Sequence, residues 1–276
     1  MKPTQLAGVP VGPGHPVRLM GVINASPESF FKGSVQTSRK AIAAAARRLA
    51  DEGADFIDIG AMSTAPYLKT QISEVEEATR LGEAVDAARS ACRLPISADT
   101  SRLLPAHAAL SAGASILNDI TGFQRDPDLP AAAKKFKGLV LMAYPGKKKS
   151  KEPLRAVKEI LATSLKTALR AGIPRERIAL DPGIGFFREM GMPWWKWDLA
   201  VLRDLEKLSS LRVPLLIGVS RKSFIGEVLK QKDPAKRLAG SLAATASAVL
   251  SGAAIVRTHD VKETLEAVRL AELLKR

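Results

Sequence analysis

Residues 95–144 read PISADTSRLLPAHAALSAGASILNDITGFQRDPDLPAAAKKFKGLVLMAY. Three short apolar runs, 95–100, 115–120 and 139–144, alternate here with longer segments of helical composition. Short apolar runs bounded by turn residues read as buried strands, and Gly113 and Gly138 stand where a helix ends before the next strand. The same unit repeats in both directions. Upstream lie 17–24 and 55–60, and downstream lie 178–181, 214–220 and 254–259, giving eight candidate strands, each followed by a helical segment. Gly53, Gly172 and Gly252 mark further helix ends. The helix after the second strand carries Ala78, Leu81, Val85 and Ala88, and the last carries Val261, Leu265 and Val268, at the three- and four-residue spacing of a buried face.

Eight such units with near-continuous apolar strands predict an α/β fold closed as a single (β/α)8 barrel, because a doubly wound sheet usually holds about six strands. The chain has 276 residues, 46% apolar and 25% charged, enough for one barrel of about 250 residues and unlike a disordered chain. No linker or composition shift divides it. The expected organisation is a loose Gly- and Pro-rich lead-in over 1–16 and one barrel over 17–276. The lead-in lacks the apolar core of a signal peptide, and the single cysteine, Cys92, excludes a disulfide within the chain, so a cytoplasmic protein is expected. Residues 238–256 carry no charge, but they are mostly Ala, Ser, Thr and Gly, and Gly252 divides them into a helix and a strand; no membrane span is expected.

Polar residues gather where the strands finish: Asn24, Ser63 and Thr64, Asp99, Asn118, Asp181, Ser220 with Lys222, then Arg257 and His259. In a closed barrel those ends share one face, where an active site sits. Asp99, Asn118 and Asp181 offer acceptors and an amide donor to a planar, nitrogen-rich ring, although any one alone would serve equally as a helix cap or loop tie. Arg257 and His259, two apart on a strand, point to one side and suit a phosphate; an ion pair of Arg257 with a nearby carboxylate is the alternative. Ser220-Arg221-Lys222-Ser223 offers two Ser caps at a helix start that would welcome an anion, or a plain cap beside a solvated Arg-Lys pair. The histidines, His15, His107 and His259, show no metal-ligand spacing.

Forty-two basic against 28 acidic residues leave a net charge of +14. That balance admits an anionic small substrate or nucleic acid, but the dense cluster Lys147, Lys148, Lys149 and Lys151 has few aromatics nearby to stack bases and reads as a solvated loop.

The motifs GVINASPESF at 21–30, Asp58-Ile59-Gly60 leading to Ser63-Thr64-Ala65-Pro66, ISADT at 96–100 and Leu117-Asn118-Asp119 resemble dihydropteroate synthase in order and spacing. So do DPGIGF at 181–186, SRKSFIG at 220–226, RLAGS at 237–241 and RTHD at 257–260. The resemblance covers nearly the whole chain from about Arg18. It implies a (β/α)8 barrel that condenses 6-hydroxymethyl-7,8-dihydropterin pyrophosphate with para-aminobenzoate, releasing pyrophosphate. By that resemblance Asp99, Asn118, Met142, Asp181, Phe186 and Lys222 hold the pterin, and Asn24, Arg257 and His259 hold the pyrophosphate. It further implies Mg²⁺ bound to that group and to Asn24, with Thr64, Pro66 and Ser223 lining the arylamine site. Asp99, Asp181, Lys222 and Arg257 then carry the catalysis. Small-molecule partners and a homodimer are implied; a nucleic acid or membrane partner is not.

Departures from the family pattern fall in loops. Glu28 stands for the usual Asp, Phe31-Lys32-Gly33-Ser34 for a Ser-Asp-Gly-Gly-type stretch, Ala61-Met62 for Gly-Glu, Ala65 for Arg and Ala143 for His. The stretch 187–197 (FREMGMPWWKW) replaces a Gly-Lys-containing loop and holds all three tryptophans, either as an aryl-binding wall or as packing for the next helix. Pterin-side residues are retained while arylamine-side residues vary, which leaves open a different acceptor, a ribofuranosyl-aniline phosphate as in the tetrahydromethanopterin pathway. A pterin-binding module without condensation activity is a further alternative, disfavoured by the retained Arg257-Thr258-His259.

Overall fold

The structure, a computed structural model, describes residues 4–26, 36–62, 71–146 and 149–275. Within them the alternating units close as expected. The barrel strands are β3 (Arg18–Asn24), β4 (Phe56–Gly60), β5 (Ile96–Asp99), β6 (Ile116–Asp119), β7 (Gly138–Met142), β8 (Ile178–Asp181), β9 (Leu215–Gly218) and β10 (Ala253–Thr258), all parallel, with β10 pairing both β3 and β9. Between them run α1 (Arg39–Asp51), α2 (Glu74–Ala91), α3 (Leu103–Ala112), α4 (Leu129–Ala133), α5 (Pro153–Arg170), α6 (Trp194–Arg203), α7 (Ser223–Val228) and α8 (Leu238–Leu250), and α9 (Val261–Leu274) ends the chain. No described helix is long and apolar enough to cross a membrane; 238–256 is α8 followed by the start of β10.

Strand alternation sorts the side chains into two cores. Ile57, Ile59, Ala98, Leu117, Leu139, Leu141, Leu180 and Ile217 face outward and pack with Leu49, Leu81, Val85, Leu161, Val249 and Val268 of the surrounding helices. The inward set, Met20, Phe56, Ile116, Val140, Ala179, Leu216 and Ile255, fills the floor of the barrel. One step higher on the same strands the inward positions become polar, and that change marks the mouth.

The lead-in corrects its expectation. Its described part folds as an antiparallel hairpin of β1 (Thr4–Leu6) and β2 (Val9–Val11), with Leu6 opposite Val9. Leu6 is fully buried and Val11 nearly so, both against the floor residues, so the hairpin closes the bottom of the barrel. Because Gly and Pro content is compatible with tight turns as well as with loose chain, composition did not separate the two. Gly138 is a related correction. It does not end a helix but opens β7, where a Cβ would lie 3.0 Å from Ile116 Cγ1 and 3.3 Å from the Leu6 Cα, so a side chain there would crowd the hairpin against the floor.

Candidate active site

The mouth is assembled by strand register. Asp99 on β5 is the direct neighbour of Asn118 on β6, Met142 on β7 neighbours Asp181 on β8, and Gly218 on β9 neighbours Arg257 on β10. Side chains distant in sequence therefore meet on one side of the barrel, as expected for Asp99, Asn118, Asp181, Lys222 and Arg257.

At the centre lies Asp58, to which the sequence reading gave no role of its own. It is completely buried, and Arg257 Nε donates to its Oδ2 at 2.6 Å while Nη2 of the same guanidinium donates to Asp99 Oδ2 at 3.0 Å. The Asn118 amide donates to both Asp58 oxygens at 3.4 and 3.3 Å. A signal for Asp58 existed, because alternation places it on the same strand face as the floor residue Phe56. Arg257 thus makes ion pairs with two nearby carboxylates, Asp58 and Asp99. Burial opposes the charge of Arg257, but Asp58 and Asp99 outweigh it and hold its pKa above the ordinary value. Asp99 is pushed up to about 7, first by burial and then by Asp58, against the pull of Arg257. Its Oδ1 is buried with no hydrogen-bond partner among the described residues.

Asp181 and Lys222 face each other across the turn that follows β8. Burial raises the Asp181 pKa, opposed by Lys222 and by the Gly183 N–H that Oδ1 accepts at 2.7 Å. Lys222 Nζ donates to the Ile184 carbonyl and lies 5.2 Å from the centre of the Phe186 ring; burial lowers its pKa to about 8, opposed by Asp181 and Asp198. The turn depends on Gly183 (φ 73°), where a Cβ would come within 2.2 Å of the Ala143 carbonyl oxygen, so no other residue fits. Asp198 on α6 is a second residue missed by sequence reading. It is buried, accepts the Gly185 N–H at 2.8 Å, and burial pushes its pKa up to about 6. An acid inside a Trp-rich helix start carried no pattern that would single it out.

Around this core, Met142 is buried and Phe186 half-buried. Asn24 ends β3 and accepts the Gln36 N–H on its backbone carbonyl. His259 follows β10, with Nδ1 3.0 Å from Ser220 Oγ; burial, then Arg257, Arg221 and Lys222, drive its pKa down to about 3, so the ring is neutral at physiological pH. Neither serine of the 220–223 motif caps a helix: Ser220 turns to His259, and the α7 start has no side-chain cap. Arg221 is not solvated. It is buried, grips Asp260 through Nε and Nη2 at 2.9 and 2.7 Å, and braces the loop that carries His259. Asp119, beside Asn118, faces away from the mouth and caps its own loop through the Thr121 and Phe123 N–H groups.

Ser223 accepts from Arg188 Nη2 at 2.6 Å. Thr64, Pro66, Glu28, Ala65 and the 31–34 stretch lie outside the described residues. Of the tryptophans, Trp197 packs α6, buried and stacked on Phe187 at 4.9 Å, whereas Trp194 carries the Arg188 guanidinium 4.0 Å above its ring. A separate cleft of about 710 Å³ runs along α5 past Phe123 and Met190; it contains none of the expected site residues.

The mouth of this closed parallel barrel combines three carboxylates, an amide, a lysine and an arginine, and the family model described as pterin binding enzyme matches residues 20–259 of the chain. The dihydropteroate synthase of Synechocystis sp. is 35% identical over 271 residues, covering 95% of this chain and 92% of that protein. A Coxiella burnetii dihydropteroate synthase solved with pteroic acid superposes with a TM-score of 0.87 at 34% identity, covering 99% of this chain and 98% of the other. The Xanthomonas albilineans enzyme solved with 4-aminobenzoic acid also gives 0.87 at 34% identity, with 99% and 97% covered. The chain belongs to the dihydropteroate synthase family, a family of transferases.

Proposed function

We propose that this mouth binds 6-hydroxymethyl-7,8-dihydropterin pyrophosphate and transfers its pterin methylene to the amine of para-aminobenzoate, forming the C–N bond of dihydropteroate as the C–O bond to pyrophosphate breaks and the amine gives up a proton. One observation carries the reading: Asp58, Asp99, Asn118, Asp181, Lys222 and Arg257 converge above an apolar floor, three carboxylates against two cations. An excess of buried acceptors suits a ring rich in N–H donors and stabilises positive charge as the leaving group departs.

In this reading Asp99 and Asp181 accept from the amino and ring N–H groups, with Asp99 Oδ1 as an acceptor still to be satisfied. Asn118, fixed by Asp58, supplies an amide edge, and Lys222 donates to the ring carbonyl. Met142 and Phe186 line the ring's apolar sides. Arg257 and His259 stand where the diphosphate tail emerges. No enzyme nucleophile is required.

Mg²⁺ fits this arrangement through Asn24. The described residues contain no cluster of three His, Cys, Asp or Glu side chains able to cage a metal, and a single amide oxygen suits a cation held mainly by substrate phosphates. Bound there it would neutralise charge on the departing pyrophosphate. Thr64 and Pro66 complete the arylamine side in the family pattern. The same resemblance supports a cytoplasmic homodimer, which sedimentation velocity tests: a monomer at micromolar concentration removes it.

The deciding experiment supplies purified protein with the pterin pyrophosphate, Mg²⁺ and para-aminobenzoate. Stoichiometric release of pyrophosphate and dihydropteroate is expected. Tight pterin binding without pyrophosphate release from any arylamine would replace the enzyme by a binding module.

A further inference from the structure

Parallel strands gather the helix C-termini at the end of the barrel away from the mouth. There the charge is segregated. The ends of α2, α4 and α5 with the loops that follow, residues 89–94, 134–137 and 170–177, hold eight basic residues and one acid, Glu176. Seven of the eight are exposed and Arg175 is half-buried, and none forms an ion pair among the described residues. Contacts join these corners into one arc. A Cβ on Gly113, at the end of α3, would strike the Arg89 guanidinium, and the Lys137 N–H donates to the Ser115 carbonyl at 2.8 Å. Lys134 Nζ would lie 3.4 Å from a Cβ on Gly172, and Arg175 Nη1 donates to the Leu211 carbonyl at 2.9 Å. Cations complement the dipole at a helix C-terminus, but that dipole is common to every corner, and the α1 corner, 47–55, carries two basic against three acidic residues. The arc therefore needs a reason of its own.

We propose that this arc docks an acidic segment of a partner protein, and that the groove beside Arg175 takes one apolar side chain of that segment. The groove, of about 510 Å³, lies between the end of α5 and the 3₁₀ turn Leu205–Leu211. Leu165, Leu169 and Leu211 line it together with Lys166, Arg170 and Arg175. Leu169, 38% exposed, is the one large exposed apolar side chain on the arc among the described residues. Apolar surface beside cations suits a segment that buries one aliphatic group while its carboxylates pair with the surrounding charges. Five of the eight basic residues are arginines, whose planar forks match carboxylates in pairs. A nucleic acid fits less well, because no exposed aromatic stands on the arc to stack a base. A membrane surface fits less well too, because one leucine offers little to bury among acyl chains. The arc and the mouth stand at opposite ends of the strands, so this surface is independent of the chemistry at the mouth.

The test measures fluorescence anisotropy at physiological salt with a labelled Glu-rich peptide carrying one central leucine, its counterpart with serine in place of that leucine, and a labelled DNA duplex of matched net charge. Co-sedimentation with phosphatidylserine vesicles completes the set. The full chain is compared with a face variant combining Lys134→Glu, Lys137→Glu and Arg177→Glu, and with a control of equal charge change combining Lys40→Glu, Arg47→Glu and Lys262→Glu. The leucine peptide is expected to bind the parent in the micromolar range, roughly tenfold or more weaker to the face variant and within about twofold to the control. The serine peptide is expected to bind the parent several-fold more weakly. Circular dichroism reports folding of each variant, and the milder pair Lys134→Gln with Arg177→Gln, expected to lose affinity several-fold, serves if the triple reversal does not fold. Equal losses in face variant and control would overturn the assignment, because they would show attraction to net charge alone. Failure of the peptide to bind, indifference to the leucine, or equal or tighter binding of the duplex or the vesicles would overturn it as well.

Discussion

Asp99 answers to two opposing demands. The proposed function uses it as an acceptor for substrate, whereas burial and the neighbouring Asp58 make its ionised form costly and lift its pKa to about 7. The unfolded chain releases that proton near pH 4. The native state therefore binds more protons than the unfolded state between about pH 4 and 7, and the contribution of Asp99 to stability falls as pH rises through that window. Asp99→Asn, uncharged throughout, is expected to melt above the parent at pH 7.5, by roughly 2–4 °C for each kcal/mol gained, and to converge with it near pH 4. Calorimetry should show the same variant losing pterin affinity by roughly tenfold or more. A parallel pair of melting curves across pH would contradict the assigned burial cost. Arg257 presents the opposite case. Its removal strands Asp58, 0% exposed, without its cation; Arg257→Ala is expected to lose roughly 3 kcal/mol in urea unfolding, with Arg257→Lys partly restoring it, because removing one partner of a buried pair costs more than the pair contributes.

Among the elements, the β1–β2 hairpin has the clearest structural task. Leu6 closes the floor on which the polar mouth stands, in contact with the cluster of Phe56, Ile116, Val140 and Leu216. Leu6→Ala is expected to cost about 3 kcal/mol in chemical unfolding, within the range for a buried leucine. KM values should hold, because the hairpin lies at the opposite end from the strand termini; a change in KM without a change in stability would show that the floor shapes the site directly. The β8–α6 connection is organised differently. The Gly185 N–H ties the turn to Asp198 of α6 and the Gly183 N–H ties it back to Asp181, so that this braced segment carries Arg188 and anchors Lys222, which lies beyond β9, through the Ile184 carbonyl.

Over the whole molecule a net charge of +14 surrounds a mouth in which carboxylates outnumber cations. Under the proposed function such a long-range field would draw in a polyanionic substrate that the local groups then orient. Raising salt from ~0.05 to ~0.3 M is expected to lower kcat/KM for the pterin pyrophosphate several-fold with kcat unchanged, because screening acts on encounter; salt-independent kinetics would remove this role for the charge. Periodicity and strand-end chemistry were sufficient for the barrel and for Asp99, Asn118, Asp181, Lys222 and Arg257, since apolar alternation and the shared face of parallel strands follow from local geometry alone. Pairings across the barrel are a different matter. That Asp58 would take Arg257 and Asn118, that Arg188 would lie on Trp194 and reach Ser223, and that Leu6 would seal the floor depended on which strand ends and loops become neighbours on closure. Those distances join residues up to 199 positions apart, and only the closed tertiary structure sets them.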